Sequence, residues 1–283
     1  MKISQLEQFR AEVLNQNRRA DPDEFFTQVH SNCPIIYSIK DLDPEYFREH
    51  FLFGRNPLHI GDLLSQEIKF DVLNFFENIG NINMPVREYL ELDKPILQRT
   101  NYCRFIDMKF KKYLNLLNGA SALRKNLYLA QVNTEDYSIA PLIQNITNQL
   151  DYYCFGLGNC WSKVEEYLWI GPSGHTEPLH YDRTHGCLMQ LHGTKTITLV
   201  PPQGTPDIYR IPAEAMTIPP WFSEASLMAP DLNKHPLLKN ILPISQTLNL
   251  NAGQALYIPP GWWHEVRSIG NSYTISINRF YWE

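Results

Sequence analysis

The stretch Cys187-Leu188-Met189-Gln190-Leu191-His192-Gly193-Thr194-Lys195-Thr196-Ile197-Thr198-Leu199-Val200 reads as two β-strands joined through Gly193, and Pro201-Pro202 stops the second. Similar short runs flank it. Upstream stand Asn126 to Val132, Glu166 to Gly171 and the segment carrying His180 and Asp182. Downstream, after an irregular, proline-rich connection over residues 203 to 246, come Leu248 to Leu250, Gln254 to Ile258, Trp263 to Ile269 and Tyr273 to Phe280. Closely spaced strands punctuated by glycine and proline predict a sandwich or barrel, not a parallel sheet.

The first 120 residues read differently. Leu6, Phe9, Val13 and Leu14 recur at helical spacing, and Asp21-Pro22-Asp23-Glu24 opens a second short helix ending near His30. Pro34 to Ser38 is a first strand, and Asp43 with Pro44 starts another helix. Lys69 to Leu73 is β-prone, Met84 to Leu90 reads as a proline-initiated helix, and Met108 to Leu114 as a further one with Lys109, Lys111 and Lys112 on its solvated side. A helix near Ile139 to Leu150 interrupts the strand region. The expected fold is mainly β with a helical N-terminal extension: residues 1–120 pack on a barrel core of residues 121–283, in one functional domain overall.

With 19% charged residues, 43% hydrophobic residues and no low-complexity tract, the composition is that of a soluble globular chain. A net charge of -5 argues against a surface dominated by polyanion binding, so no DNA partner is expected. Charges run through Met1 to Arg19, so an amphipathic helix and not a signal peptide is expected there, and no apolar run is long enough to span a bilayer. The five cysteines, Cys33, Cys103, Cys154, Cys160 and Cys187, fit neither a zinc motif nor a disulfide framework. Reduced thiols and a cytoplasmic location are the expectation.

Strand alternation then says which side chains look inward. His180 and Asp182 lie two apart and share a face, and a second histidine, His264, occurs in Gly261-Trp262-Trp263-His264-Glu265-Val266. Two imidazoles and one carboxylate match the facial triad that holds Fe(II) and leaves the opposite coordination positions open. His264 shares its face with Val266 and Ser268, leaving Glu265 and Arg267 to the solvated side; a lone inward histidine is also a common hydrogen-bonded core residue. Lys195 shares its face with Ile197 and Leu199. Either it reaches back to water from the strand's start or a bound carboxylate meets it inside the barrel. Thr274, Ser276 and Asn278 give the last strand a polar face, as a ligand-holding barrel requires. His175 and His185 stand at odd spacing from Asp182 and are expected on the other face, and His192, in the following strand, is likewise not expected to replace a ligand.

With these residues in place, the chain resembles the JmjC and cupin-like iron(II)- and 2-oxoglutarate-dependent oxygenases, nearest to the branch of the factor-inhibiting-HIF type asparaginyl hydroxylases. The resemblance rests on Met108 to Leu114, Leu127 to Gln131, Pro178 to Asp182, Gly193-Thr194-Lys195, Gly253 to Pro259 and Trp262-Trp263-His264. It implies a double-stranded β-helix, or jelly roll, with Fe(II) on His180, Asp182 and His264. It further implies 2-oxoglutarate and O2 as co-substrates, Lys195 and Tyr128 on the far carboxylate of 2-oxoglutarate, and Asn278 on the iron side. Family members often carry Thr or Ser three residues before the first iron histidine. Here Glu177 stands there, with Thr176 one residue earlier as the nearest hydroxyl for the co-substrate, and Gly186 replaces an asparagine of the hydroxylase. A carboxylate beside an anion repels it unless Glu177 turns outward. The sequence ends at Glu283 just after the last strand, so dimerisation through that hydroxylase's C-terminal helices is not expected.

The function implied is hydroxylation of a side chain in a peptide or protein, with the 203–246 connection (Met216, Pro219-Pro220-Trp221-Phe222, Met228) as lid or wall. The alternatives are the same chemistry on a small metabolite, a tRNA base or a histone lysine, and a non-oxygenase cupin that binds a ligand or isomerises it.

Overall fold

A computed structural model of the chain describes residues 35–36, 38–64, 70–90, 103–119, 127–156, 161–212, 221–270 and 272–283. The helices expected over residues 1–30, together with Cys33, Cys160, Met216, Pro219 and Pro220, lie outside these.

Strands β1 (Ile35–Ile36) and β2 (Leu58–Ile60) come first, separated by helix α1 (Pro44–Phe47), which Asp43 caps by accepting from the Tyr46 amide. Helix α2 (Val72–Ile79) follows, then β3 (Asn83–Tyr89), β4 (Cys103–Lys109), helix α3 (Phe110–Asn118), β5 (Leu127–Asn133) and helix α4 (Ala140–Leu150). Eight strands complete the chain: β6 (Lys163–Pro172), β7 (Thr176–Tyr181), β8 (His185–His192), β9 (Thr194–Val200), β10 (Gln246–Asn251), β11 (Ala255–Ile258), β12 (Trp263–Ile269) and β13 (Tyr273–Trp282). They divide between two sheets. One has four strands in the order β10-β9-β12-β7, and the other nine in the order β1-β2-β11-β8-β13-β6-β5-β3-β4. This antiparallel two-sheet arrangement is a jelly roll, the cupin-like fold.

Side-chain alternation makes the layers. On β13, Ile275 and Ile277 point to the outer face of the large sheet, where Phe47, Phe75, Phe110, Ile143 and Leu150 from the helices bury them. Each such side chain contributes roughly 1.5–3 kcal/mol on burial. Thr274, Ser276 and Asn278 point the other way, toward the small sheet. Between the sheets, Leu188, Ile197, Leu199, Leu250, Leu256 and Ile258 fill one end of the barrel. Beyond that end the interior also carries buried polar side chains, among them Lys195, Ser268, Thr274 and Ser276.

Three local expectations change. The segment expected as a helix over Met84–Leu90 is strand as far as Tyr89: Met84 and Val86 are fully buried while Pro85 and Arg87 are partly exposed, a period of two. Pro85 is tolerated because β3 pairs with β5 only at Arg87 and Glu88, so no neighbour on that side needs the missing N–H. The β-prone run before Leu73 instead ends in a helix cap, with Asp71 Oδ1 accepting from the Leu73 and Asn74 amides. Met108 and Lys109 close β4, and the helix starts at Phe110 with Lys111 and Lys112 exposed. Consequently the segment before residue 120 is not simply helical: β1 to β4 extend the large sheet at both edges.

Candidate metal centre

β7 and β12 are neighbours in the small sheet, and His264 lies directly opposite His180, with ring centroids 4.2 Å apart. Asp182 follows the end of β7. Its Oδ2 is 3.6 Å from His264 Nε2, and the ligand atoms of His180, Asp182 and His264 all lie within 4.8 Å of one another. This is the one such cluster among the described residues. Each imidazole is oriented from behind: His180 Nδ1 donates to the Pro178 carbonyl (2.7 Å) and His264 Nδ1 to the Trp262 carbonyl (3.0 Å). Both Nε2 lone pairs are left for the centre, the arrangement that fixes tautomer and aim in metal-binding histidines. Burial, with His180 close by, holds His264 well below its ordinary pKa, so its ring is neutral. The donor set, two imidazole nitrogens and a carboxylate oxygen, suits a divalent first-row metal.

Across the barrel, Lys195 is 5% exposed and its ammonium donates to Ser276 Oγ at 2.5 Å. It does not reach water. Burial pushes its pKa down to about 8, and the charge of Glu177 pulls the other way. Tyr128 of β5 is buried, its ring stacked on His175 at 3.6 Å and 6.0 Å from Trp169. Asn278 Oδ1 is buried without a hydrogen-bond partner. Gly171 makes this packing possible, since a Cβ there would stand 2.6 Å from the Tyr128 ring. Gly171→Ala is therefore expected to destabilise the fold by about 1–3 kcal/mol and to displace Tyr128, measured as a lowered melting temperature and altered near-ultraviolet circular dichroism.

Glu177 and Thr176 exchange the faces that simple alternation assigns. His264 faces His180, yet Val266 faces Glu177, so Pro178 and Leu179 together stand opposite Glu265 alone. This is a β-bulge, and it shifts the phase of β7 by one residue. Glu177 consequently shares the inner face with His264 and Val266, while Thr176 pairs with Arg267 on the outer side. His175 follows Glu177 inward, contrary to its odd spacing, with its Nε2 3.7 Å from Glu177 Oε2. Proline inside a strand was the one signal in the sequence for this bulge. His185 and His192 do lie away from the centre: His185 contacts Tyr257 and Glu283, and His192 stacks on Tyr273.

Glu265, expected on a solvated face, is 1% exposed. Its carboxylate accepts from Ser226 Oγ (2.6 Å), the Leu227 amide (2.7 Å) and the Met228 amide (2.9 Å). These bonds pin the end of the long connection, whose residues 221–223 run antiparallel to β7. Phe222 stacks on the His180 ring at 5.2 Å, and Trp221 packs into the outer cluster around Tyr181 and Trp263. Phe222 thus forms a wall directly beside the centre. Glu265→Gln puts an NH2 where an amide donor needs an acceptor, and is expected to cost about 1–3 kcal/mol. Limited proteolysis should then cut within residues 221–230 faster than in the parent.

The sequence matches the family described as Cupin-like domain over residues 65–283. It is 31% identical over 248 residues (81% of this chain, 52% of the relative) to JmjC domain-containing protein D of Dictyostelium discoideum. It is 33% identical over 265 residues (92% of this chain, 62% of the relative) to Jumonji C domain-containing protein 5 of Drosophila melanogaster. A shorter match, 34% over 118 residues (41% and 20%), is to lysine-specific demethylase JMJ31 of Arabidopsis thaliana. The chain thus spans between about half and two thirds of the length of the first two relatives.

Proposed function

We propose, because this chain belongs to the cupin-like family of JmjC-type, iron(II)- and 2-oxoglutarate-dependent oxygenases, that it oxygenates a side chain of a peptide or protein. The observation that carries this reading is one barrel holding both a three-donor cluster and a buried lysine whose hydrogen bond goes to a serine hydroxyl. A metal answers the first and a carboxylate the second.

In this reading His180, Asp182 and His264 hold the iron, and the Pro178 and Trp262 carbonyls keep both imidazoles aimed. Bound there, iron(II) with 2-oxoglutarate and O2 supplies the power to oxidise a C–H bond. Lys195 pairs with the far carboxylate of 2-oxoglutarate, and the Tyr128 hydroxyl donates to the same group. Asn278 presents its unpartnered amide oxygen to whatever donor lies on the iron side. The apolar end of the barrel and Phe222 keep bulk water away, which protects a reactive centre. Support for a protein substrate comes from the relative named as a lysine-specific demethylase.

The test incubates the protein with Fe(II), 2-oxoglutarate, ascorbate and candidate peptides. Succinate should form, and mass spectrometry should find a peptide that gains one oxygen. Loss of a methyl group with release of formaldehyde would point to demethylation at the same centre. If no succinate forms with any substrate, the oxygenase reading fails and a non-oxygenase cupin remains.

A further inference from the structure

Glu177 poses the main electrostatic problem of the pocket. It lies on the inner face beside the lysine that should receive an anion, and it is ionised: burial opposes the charge, but the approach of His175 and the fields of His180 and Arg87 outweigh it. A second carboxylate arriving at Lys195 meets it.

Arg87 is a second cation on the pocket side of the large sheet. It sits on β3 opposite Tyr128 and two residues before Tyr89 on the same strand, with Nη2 donating to Gln131 Oε1 at 2.9 Å. Its Nε is buried without a hydrogen-bond partner. The Tyr89 ring stacks on His175 at 6.0 Å and 23°, and His175 approaches Glu177. Arg87 and Glu177 are therefore linked through two stacked rings, and each stabilises the other's charged form. With Asp182 committed to the metal, the pocket balances two cations against Glu177 and one incoming anion. Without Arg87 that balance is lost.

We infer that Arg87 is a positioning residue for the co-substrate pocket: its guanidinium, linked to Glu177 through Tyr89 and His175, offsets the Glu177 carboxylate so that a dicarboxylate can bind at Lys195 beside it. Glu177 is tolerated where a hydroxyl is more usual because it arrives with its own counter-ion. This inference rests on the co-substrate reading proposed above.

The test is a double-mutant cycle with 2-oxoglutarate binding to the Mn(II)-loaded protein, followed by calorimetry without turnover. Arg87→Gln should weaken binding by roughly tenfold or more, and Glu177→Gln should change it by less than about threefold. The double variant should return to within about threefold of the parent, as should Arg87→Lys, which keeps the charge. A double variant as weak as Arg87→Gln, or an Arg87→Gln that binds normally, would overturn the inference. The metal- and ligand-free melting temperature supplies a second cycle, with Arg87→Gln lowering it and Glu177→Gln restoring it in the pair; additive losses count against the coupling. If the parent takes up Mn(II) but not 2-oxoglutarate, the co-substrate reading has failed, while the ligand-free cycle still decides whether the two charges are paired.

Discussion

An H264A variant is expected to bind iron(II) at least about a hundredfold more weakly than the parent and to make no succinate, since removing even an outer partner of a metal ligand costs 10–100-fold. The loss should be specific to the centre. His264 is buried in its neutral form, so its removal strands no charge, and the structural cost should stay near the 0.5–3 kcal/mol of an ordinary core substitution. Its Nδ1 bond to the Trp262 carbonyl goes with it, so H264N is a useful second variant that retains a polar group at the site. Iron content by elemental analysis, with circular dichroism as a check on folding, measures the effect. Stoichiometric iron in a folded H264A protein would reject the proposed ligand set.

A K195M variant separates binding from folding. Methionine keeps much of the length and removes a buried ammonium, leaving only Ser276 Oγ to lose a donor. Ligand-free stability should fall by no more than about 1 kcal/mol, because the missing hydrogen bond is offset by relief of the charge's desolvation. Binding of 2-oxoglutarate should fall by about 2–5 kcal/mol, roughly thirtyfold to a few thousandfold. A K195M protein that binds 2-oxoglutarate normally would remove the lysine from the proposal.

The same lysine predicts a pH signature. Its pKa stands at about 8 in the ligand-free fold against an ordinary value of 10.5, because burial penalises the ammonium. Below pH 8 the lysine is charged and ready for an anion. Above it, binding must first take up a proton, so affinity for 2-oxoglutarate should drop by up to about tenfold per pH unit. Ligand-free stability moves in the opposite sense: between about 8 and 10.5 the unfolded chain holds the proton that the folded one has released, so this residue's contribution to stability rises with pH. K195M should show neither trend.

Local pattern carried much of this molecule. Alternation along Thr194–Val200 and Tyr273–Trp282 is a property of each strand by itself, so it places Lys195 with Ile197 and Leu199 on one strand, and Ser276 and Asn278 opposite Ile275 and Ile277 on the other, without any partner strand. The spacing of His180 and Asp182 likewise needs only one extended segment. Register does not work that way. Which residue of β12 faces His180, and whether β7 slips by one residue on the way, depend on strands more than eighty residues apart. The bulge at Pro178–Leu179 turned Glu177 inward and Thr176 outward, reversing the faces that unbroken alternation assigns to the co-substrate side. Glu265 reads as solvated in its own strand and becomes buried only because residues 226–228 fold onto it. By its own sequence Arg87 reads as part of a helix; only the pairing of β3 with β5 brings it opposite Tyr128. The sequence by itself determined the strand faces and the residue types that a metal and an anion require. The tertiary structure decided which of those residues meet, because strand pairing, bulges and charge compensation are set between segments and leave little trace within any one of them.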